Sequence, residues 1–258
     1  MKNIKIIVAA HKKYRMPEDT MYLPVHVGAE GKESIGYQPD NDGENISHKN
    51  AFFSELTGLY WAWKNLDADY IGLAHYRRHF RGANRGKDIF DKVLTRAEAD
   101  KMLEKTDILV TKKRKYYIEN IYDHYAHTLY VETLDKAKEI IDRKYPEYIP
   151  AFERCMKRTH MHAFNMFVME REKLSQYCEW IFDILFELEE ELKHKEYNAF
   201  HSRYPGRVSE VLLDVWLEKN RYTYLEVPFV YTEKINMFMK AYKFLRAKFL
   251  KEKYEASF

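Results

Sequence analysis

Two short stretches place cations and aromatics where buried strands would deliver them. Ile4 to Ala10 is a continuous apolar run that ends in His11, Lys12, Lys13 and Tyr14, and Tyr70 to Ala74 is another that ends in His75, Tyr76, Arg77 and Arg78. Guanidinium groups form bidentate, charge-assisted hydrogen bonds to phosphate oxygens, and a tyrosine can stack on a base or a sugar. The set therefore suits a nucleoside diphosphate. The same two arginines could equally be a solvated edge or partners of Asp67 and Asp69, and one loop histidine alone specifies nothing.

Other residues admit other chemistry. Asp67-Ala68-Asp69 has the D-x-D spacing that can hold a divalent metal on a diphosphate. It precedes its strand, which puts the carboxylates at the amino edge, so a helix-end and turn role is expected. His160 and His162 could ligate a metal, but no third ligand is evident. Asn165 lies inside an apolar run and must satisfy a buried amide, either as a structural hydrogen-bonder or as a reader of sugar hydroxyls. Arg207, Ser209 and Glu210 follow Pro205-Gly206 and are expected to open a helix, with Glu210 in the first turn, where the helix dipole favours a carboxylate.

Positioning these groups requires an alternation of strands and helices. After the first strand, Pro24 to Gln38 predicts a second short strand, and the turn-rich residues 40–47 lead into a helix over Lys49 to Leu66, with Phe53, Leu56, Tyr60 and Trp63 at helical spacing. The Tyr70 strand follows. Then come a helix over Arg96 to Lys105, a strand over Asp107 to Thr111 with a basic exit (Lys112, Lys113, Arg114, Lys115), and helices near Ile118 to Ala126 and Thr133 to Lys144. His162 to Met169 predicts a central strand, Lys173 to Lys193 and Val208 to Asn220 predict helices, and Tyr222 to Phe229 predicts a last strand. The fold class is α/β: an open, mostly parallel central sheet flanked by helices, with its site along the carboxyl edge. One domain is expected over residues 1–232, followed by a tail over 233–258.

Composition limits the partners. The 258 residues carry 43 Lys and Arg against 40 Asp and Glu, a net charge of only +3, which argues against a nucleic-acid binder. Two cysteines, Cys155 and Cys178, make neither a disulfide framework nor a zinc site and suit a reducing cytosol. The glycines make no G-x-G-x-x-G and no G-x-x-x-x-G-K-[ST], and H-E-x-x-H and G-x-S-x-G are also missing. A dehydrogenase, P-loop kinase, zinc protease or α/β-hydrolase is thereby disfavoured. No stretch is apolar enough to span a bilayer. The tail concentrates seven cations against Glu252 between Lys234 and Lys253, with Phe238, Tyr242, Leu245 and Phe249 at helical spacing. A basic amphipathic helix of this kind fits either an anionic membrane surface or packing on its own domain.

Several segments together resemble one bacterial family, long of unknown function, that occurs in capsular and exopolysaccharide clusters and is grouped with glycosyltransferases. They are Val8 to Lys12 with Tyr14, Tyr22 to Gly28, Gly43 to Ser47 with Lys49-Asn50, Glu55 to Thr57, Trp61 to Asn65, Asp69 to Arg78, Asn165 to Met169, and Ser209-Glu210 within Arg207 to Leu217. The H-Y-R-R run is the most specific of them. The resemblance implies a GT-A-like fold, a UDP-sugar donor with galactose as the transferred hexose, and a lipid-linked polysaccharide repeat unit as acceptor. It implies that Ala9, His11, Lys12, Tyr14, His75, Tyr76, Arg77 and Arg78 hold the nucleotide and diphosphate. Asn45, Asn50, His162 and Asn165 fall to donor sugar and acceptor, and Glu210 is implied as the base, with Asp214 as its competitor. Cations occupy the position where the fold's relatives carry a metal-binding D-x-D, so no metal or other cofactor is expected to be required. The protein is expected in the cytoplasm, held by its tail at the inner face of the membrane. The rival expectation is a non-catalytic carbohydrate- or nucleotide-binding protein of a polysaccharide cluster.

Overall fold

A computed structural model describes residues 2–233. The tail expected over 233–258, with its amphipathic helix, lies outside the described residues from 234 onward. The described residues divide into two compact units, interleaved in sequence: one of residues 2–112, Phe164–Glu179 and Tyr222–Glu233, the other of Lys113–Ala163 and Trp180–Arg221.

The first unit is the sheet. Its strands are β1 (Ile4–Ala10), β2 (Tyr22–His26), β3 (Gln38–Pro39), β4 (Tyr70–His75), β5 (Arg78–Phe80), β6 (Ile108–Thr111), β9 (Phe167–Glu170), β10 (Leu225–Val227) and β11 (Phe229–Tyr231). They run in the order β10-β6-β9-β4-β1-β2-β3, with β5 and β11 paired beside β4. Along that path β9 is the reversed strand, antiparallel to both β4 and β6, while the other neighbours are parallel. The runs IKIIVAA and YIGLA are continuous because both faces of β1 and β4 are covered, and almost every residue in them is buried. Gly72 marks the tightest point. A Cβ there would lie 2.7 Å from the Phe167 carbonyl oxygen of β9.

Helices α1 (Asn50–Phe53), α2 (Leu56–Asn65) and α3 (Arg96–Leu103) belong to this unit, with α2 against β1 and β4 and α3 against β6. The single helix expected over Lys49 to Leu66 is broken at Ser54, whose φ of 51° is left-handed. Thr95 and Glu98 close a capping box at the start of α3. Asp40 organises the opposite flank. Its buried carboxylate accepts from the Gly28 and Ala29 amides at 2.8 and 3.0 Å and from the Ser47 and Thr57 hydroxyls at 2.5 and 2.6 Å.

The second unit is mainly helical. It holds the short antiparallel pair β7 (Arg114–Lys115) and β8 (His160–Met161), then α4 (Ile121–Thr128), α5 (Glu132–Lys144), α6 (Ile149–Met156) and α8 (Tyr204–Asn220). Helix α7 (Arg171–Leu192) begins in the first unit and ends in the second. Tyr148 stacks on Trp180 with centroids 4.7 Å apart, over a core that includes Leu134, Ile141, Leu212 and Trp216. Among the described residues, no helix is long and apolar enough to cross a membrane.

Two expected boundaries are corrected. The strand expected over His162 to Met169 begins only at Phe167, because Phe164 and Asn165 take left-handed backbone angles, φ 76° and 52°, that a strand cannot contain. Helix α8 begins at Tyr204, four residues before the expected Val208. Proline fits a helix's first turn, where its missing N–H has no intrahelical acceptor, so Pro205 lies inside the helix. Glu210 therefore stands in the second turn and not in the first.

Candidate functional site

The parallel register of β1 and β4 sets Ala9 opposite His75, so the loops that leave the two strands start side by side. The Tyr76 amide donates to the Ala9 carbonyl at 3.2 Å, which extends the ladder one step beyond the strand. The side chains then meet. Tyr14 and Tyr76 stack with centroids 3.9 Å apart, and the His11 ring stands edge-on to both at 5.9 and 5.2 Å. Lys12 Nζ lies 5.2 Å from the Tyr14 ring and the Arg77 guanidinium 5.1 Å from the Tyr76 ring.

The backbone of this cluster is fixed from two sides. The Tyr37 hydroxyl accepts from the Tyr14 amide at 3.0 Å and donates to the Tyr14 carbonyl at 2.7 Å. Thr232 does the same for the other loop, its amide donating to the Arg77 carbonyl at 3.0 Å and its hydroxyl to the Tyr76 carbonyl at 3.0 Å. Burial pushes the Tyr76 hydroxyl up to about 12, so it keeps its proton near neutrality and can donate as well as accept. Arg77 pairs with Glu233 at 2.9 Å, but both side chains are about half exposed (43% and 50%). Exposed pairs of this kind are weak, so an anionic ligand can compete for the guanidinium.

A second group of contacts lies around the start of β9. His75 Nε2 donates to the Phe164 carbonyl at 2.5 Å, which fixes the imidazole as the Nε2–H tautomer. Burial lowers the His75 pKa, with Glu55 opposing, and favours a neutral ring. The Arg78 guanidinium lies 4.2 Å from the Phe164 ring and 5.5 Å from that of Tyr231. The Asn165 amide donates to Glu55 Oε1 at 2.8 Å. Left-handed backbone at two successive non-glycine residues costs free energy, and these contacts hold it in place. Ala9 and His75 thus lie at the ends of β1 and β4, His11, Lys12, Tyr14, Tyr76 and Arg77 follow in the two adjoining exits, Arg78 opens β5, and Asn165 joins His75 and Arg78 through its neighbour Phe164 and through Glu55.

Asn45 and Asn50 have local work. Asn45 donates to the Gly43 carbonyl at 2.8 Å and accepts from the Ser47 amide at 3.1 Å. Asn50 donates to the Ser54 carbonyl at 2.7 Å and lies so close to Gly28 that a Cβ there would meet its side chain at 2.5 Å. Asp67 and Asp69 bind Asn3 at the start of β1, at the amino edge: the Asn3 amide donates to Asp69 Oδ2 at 2.7 Å and its side chain to the Asp67 carbonyl at 3.0 Å.

In the second unit, Asp214 accepts from the His162 backbone amide at 3.0 Å, and its other oxygen pairs with His162 Nδ1. Both residues are buried. Glu210, one turn earlier on α8, is partly exposed, and its charge is felt by the buried Tyr125 together with that of Arg207. Among the described residues, no three His, Cys, Asp or Glu side chains gather as ligands for a metal ion.

Glu55, Tyr37, Phe164 and Tyr231 take part without having been singled out from the sequence. A signal existed for Glu55, a carboxylate between the apolar Phe53 and Leu56. Nothing local marks the other three, whose contacts come from residues far away in the chain.

Three comparisons with known proteins bear on this geometry. Residues 5–221 match the family model described as Domain of unknown function (DUF4422). None of the curated proteins matches the chain. Among solved structures, the chain is similar to one described as the WbbM bifunctional glycosyltransferase in its apo form, with a TM-score of 0.83 and 30% identity over 90% of this chain and 46% of that one. The chain spans about half the length of that relative, and the α/β architecture with its mostly parallel central sheet is a glycosyltransferase fold. With the family model covering most of its length, the chain belongs to the DUF4422 family.

Proposed function

We propose that the protein is a glycosyltransferase that takes galactose from UDP-galactose and transfers it to a lipid-linked polysaccharide repeat unit in capsule or exopolysaccharide synthesis. The observation that carries this reading is the meeting of Tyr14, Tyr76, His11, Lys12 and Arg77 at the exits of β1 and β4. Aromatic faces suit a uracil and ribose, and cations beside them suit a diphosphate. The relative described as a bifunctional glycosyltransferase supports the glycosyl-transfer part of this reading.

Transfer forms a bond from an acceptor hydroxyl oxygen to the anomeric carbon and breaks the bond from that carbon to the diphosphate, which leaves with the electron pair. Arg77 and Arg78 stabilise the departing diphosphate as fixed cations, so a metal is not required. The acceptor proton goes to Glu210, because the Asp214 carboxylate is already committed to His162. The tail past residue 233 holds the enzyme at the cytoplasmic face of the inner membrane, beside its acceptor. Pure protein incubated with a panel of UDP-sugars tests the function. UDP release fastest from UDP-galactose supports it; release from none of them, with a carbohydrate still bound, favours the non-catalytic alternative.

A further inference from the structure

The basic stretch after β6 is not used by any of the chemistry above. Its second-unit part, from Lys113 to Ile118, forms a tip held at both ends. Arg114 and Lys115 pair with Met161 and His160 in the β7–β8 ladder, the Tyr116 amide donates to the Thr159 carbonyl at 2.7 Å, and the Ile121 amide to the Arg158 carbonyl at 2.8 Å. Between these anchors Tyr117 is 87% exposed and Ile118 56% exposed, two of the four large hydrophobic side chains exposed among the described residues. Such residues are ordinarily scattered singly; here two stand together at one tip.

Three cations precede them in the same stretch. Lys113, Arg114 and Lys115 all retain solvent exposure, and the Arg114 guanidinium lies 5.0 Å from the Tyr116 ring. The adjacent acid, Glu119, is turned inward. Its side chain is only 2% exposed and bonds His124 Nδ1 at 2.6 Å and His127 Nδ1 at 2.9 Å. Asp123 is taken up by the cap of α4, accepting from the Asn120 side chain at 2.9 Å. The tip therefore shows water an apolar pair next to three cations, while Glu119 and Asp123 bond other groups.

We propose that this tip is a membrane-docking element, in which Tyr117 and Ile118 enter the interface of an anionic bilayer while Lys113, Arg114 and Lys115 pair with its headgroups. Tyrosine favours the headgroup level, an aliphatic side chain the boundary below it, and near-surface cations add attraction that salt screens. Like charge argues against the chain's own tail as occupant, since that segment carries seven cations and one carboxylate between Lys234 and Lys253. The inference does not depend on transferase activity.

The test uses the full chain. Cys155 and Cys178 are both buried, so Ile118→Cys can be labelled selectively with a polarity-sensitive fluorophore. Vesicles of phosphatidylglycerol and phosphatidylcholine should shift its emission to the blue, whereas phosphatidylcholine alone should not, and about 0.5 M salt should reverse the shift. Tyr117→Ser with Ile118→Ser should lower the vesicle partition constant about tenfold, and Lys113→Ala with Lys115→Ala should do so at low salt. Sedimentation with vesicles but no change in label emission would assign binding to the tail alone and overturn the proposal. So would a blue shift with an acidic polypeptide and none with anionic vesicles, which would make the tip a protein contact.

Discussion

The carboxylate of Asp214 grips His162 twice, through the backbone amide and through Nδ1 of the ring. Both residues are buried, so this is a fixed internal pair. Removing one partner of such a pair leaves the other desolvated and unmet, which costs several kcal/mol. Asp214→Asn should lower the melting temperature markedly, whereas Glu210→Gln should leave it within a degree or two and reduce transfer at least about a hundredfold with UDP affinity unchanged. A stable Asp214→Asn protein that binds UDP but transfers nothing would move the base to Asp214.

Asp40 predicts a stability effect with no ligand involved. Its carboxylate satisfies two amides and two hydroxyls in a buried turn. Asp40→Ala orphans all four donors and should cost about 3 kcal/mol or more, read by denaturant titration. A loss below about 1 kcal/mol would show that the turn repacks without it.

The elements are not equally legible in the sequence. β1 and β4 declare themselves because strands covered on both faces read as unbroken apolar runs, and their polar exits then mark the site. β9 was placed too early because Phe164 and Asn165 are left-handed for reasons seated elsewhere: the His75 imidazole, the Arg78 guanidinium and the Glu55 carboxylate. Periodicity cannot register such contacts. The break at Ser54 was hidden in the same way, since Phe53 and Leu56 keep helical spacing across it. Helix α6 is masked in the sequence by Pro146 just before it and Pro150 in its first turn, although proline in a first turn is compatible with a helix. Tyr37, which clamps the Tyr14 backbone, is 23 residues away from it and carried no local mark.

His79 gives a pH dependence. It is fully buried, neither ring nitrogen has a hydrogen-bond partner among the described residues, and burial brings its pKa down to about 4 from 6.5. The folded ring stays neutral while the unfolded one takes up a proton below about pH 6.5. Stability is thus complete above that pH and falls as pH drops toward 4, by roughly 3 kcal/mol at most from this group. His79→Leu should lose less melting temperature between pH 7.5 and 5 than the parent. Equal losses would place the acid sensitivity elsewhere.

Glu55 adds a carboxylate to the contacts around the start of β9. It accepts from Asn165 at 2.8 Å and acts electrostatically on His75. Glu55→Gln should therefore depress transfer while preserving the fold, and it should raise the KM for the UDP-sugar less than it lowers kcat if the charge acts in the transition state. An unchanged kcat would limit Glu55 to supporting the Asn165 backbone.

The most direct measurement is UDP binding by titration calorimetry in the presence of chelator, on the parent protein and on Tyr14→Ala and Arg77→Ala. The expected result is UDP binding by the parent without added metal, weakened at least about tenfold, or 1.4 kcal/mol, in each variant. Binding of ADP or NAD in place of UDP, or UDP affinity untouched by both substitutions, would contradict the assignment of the nucleotide to the exits of β1 and β4.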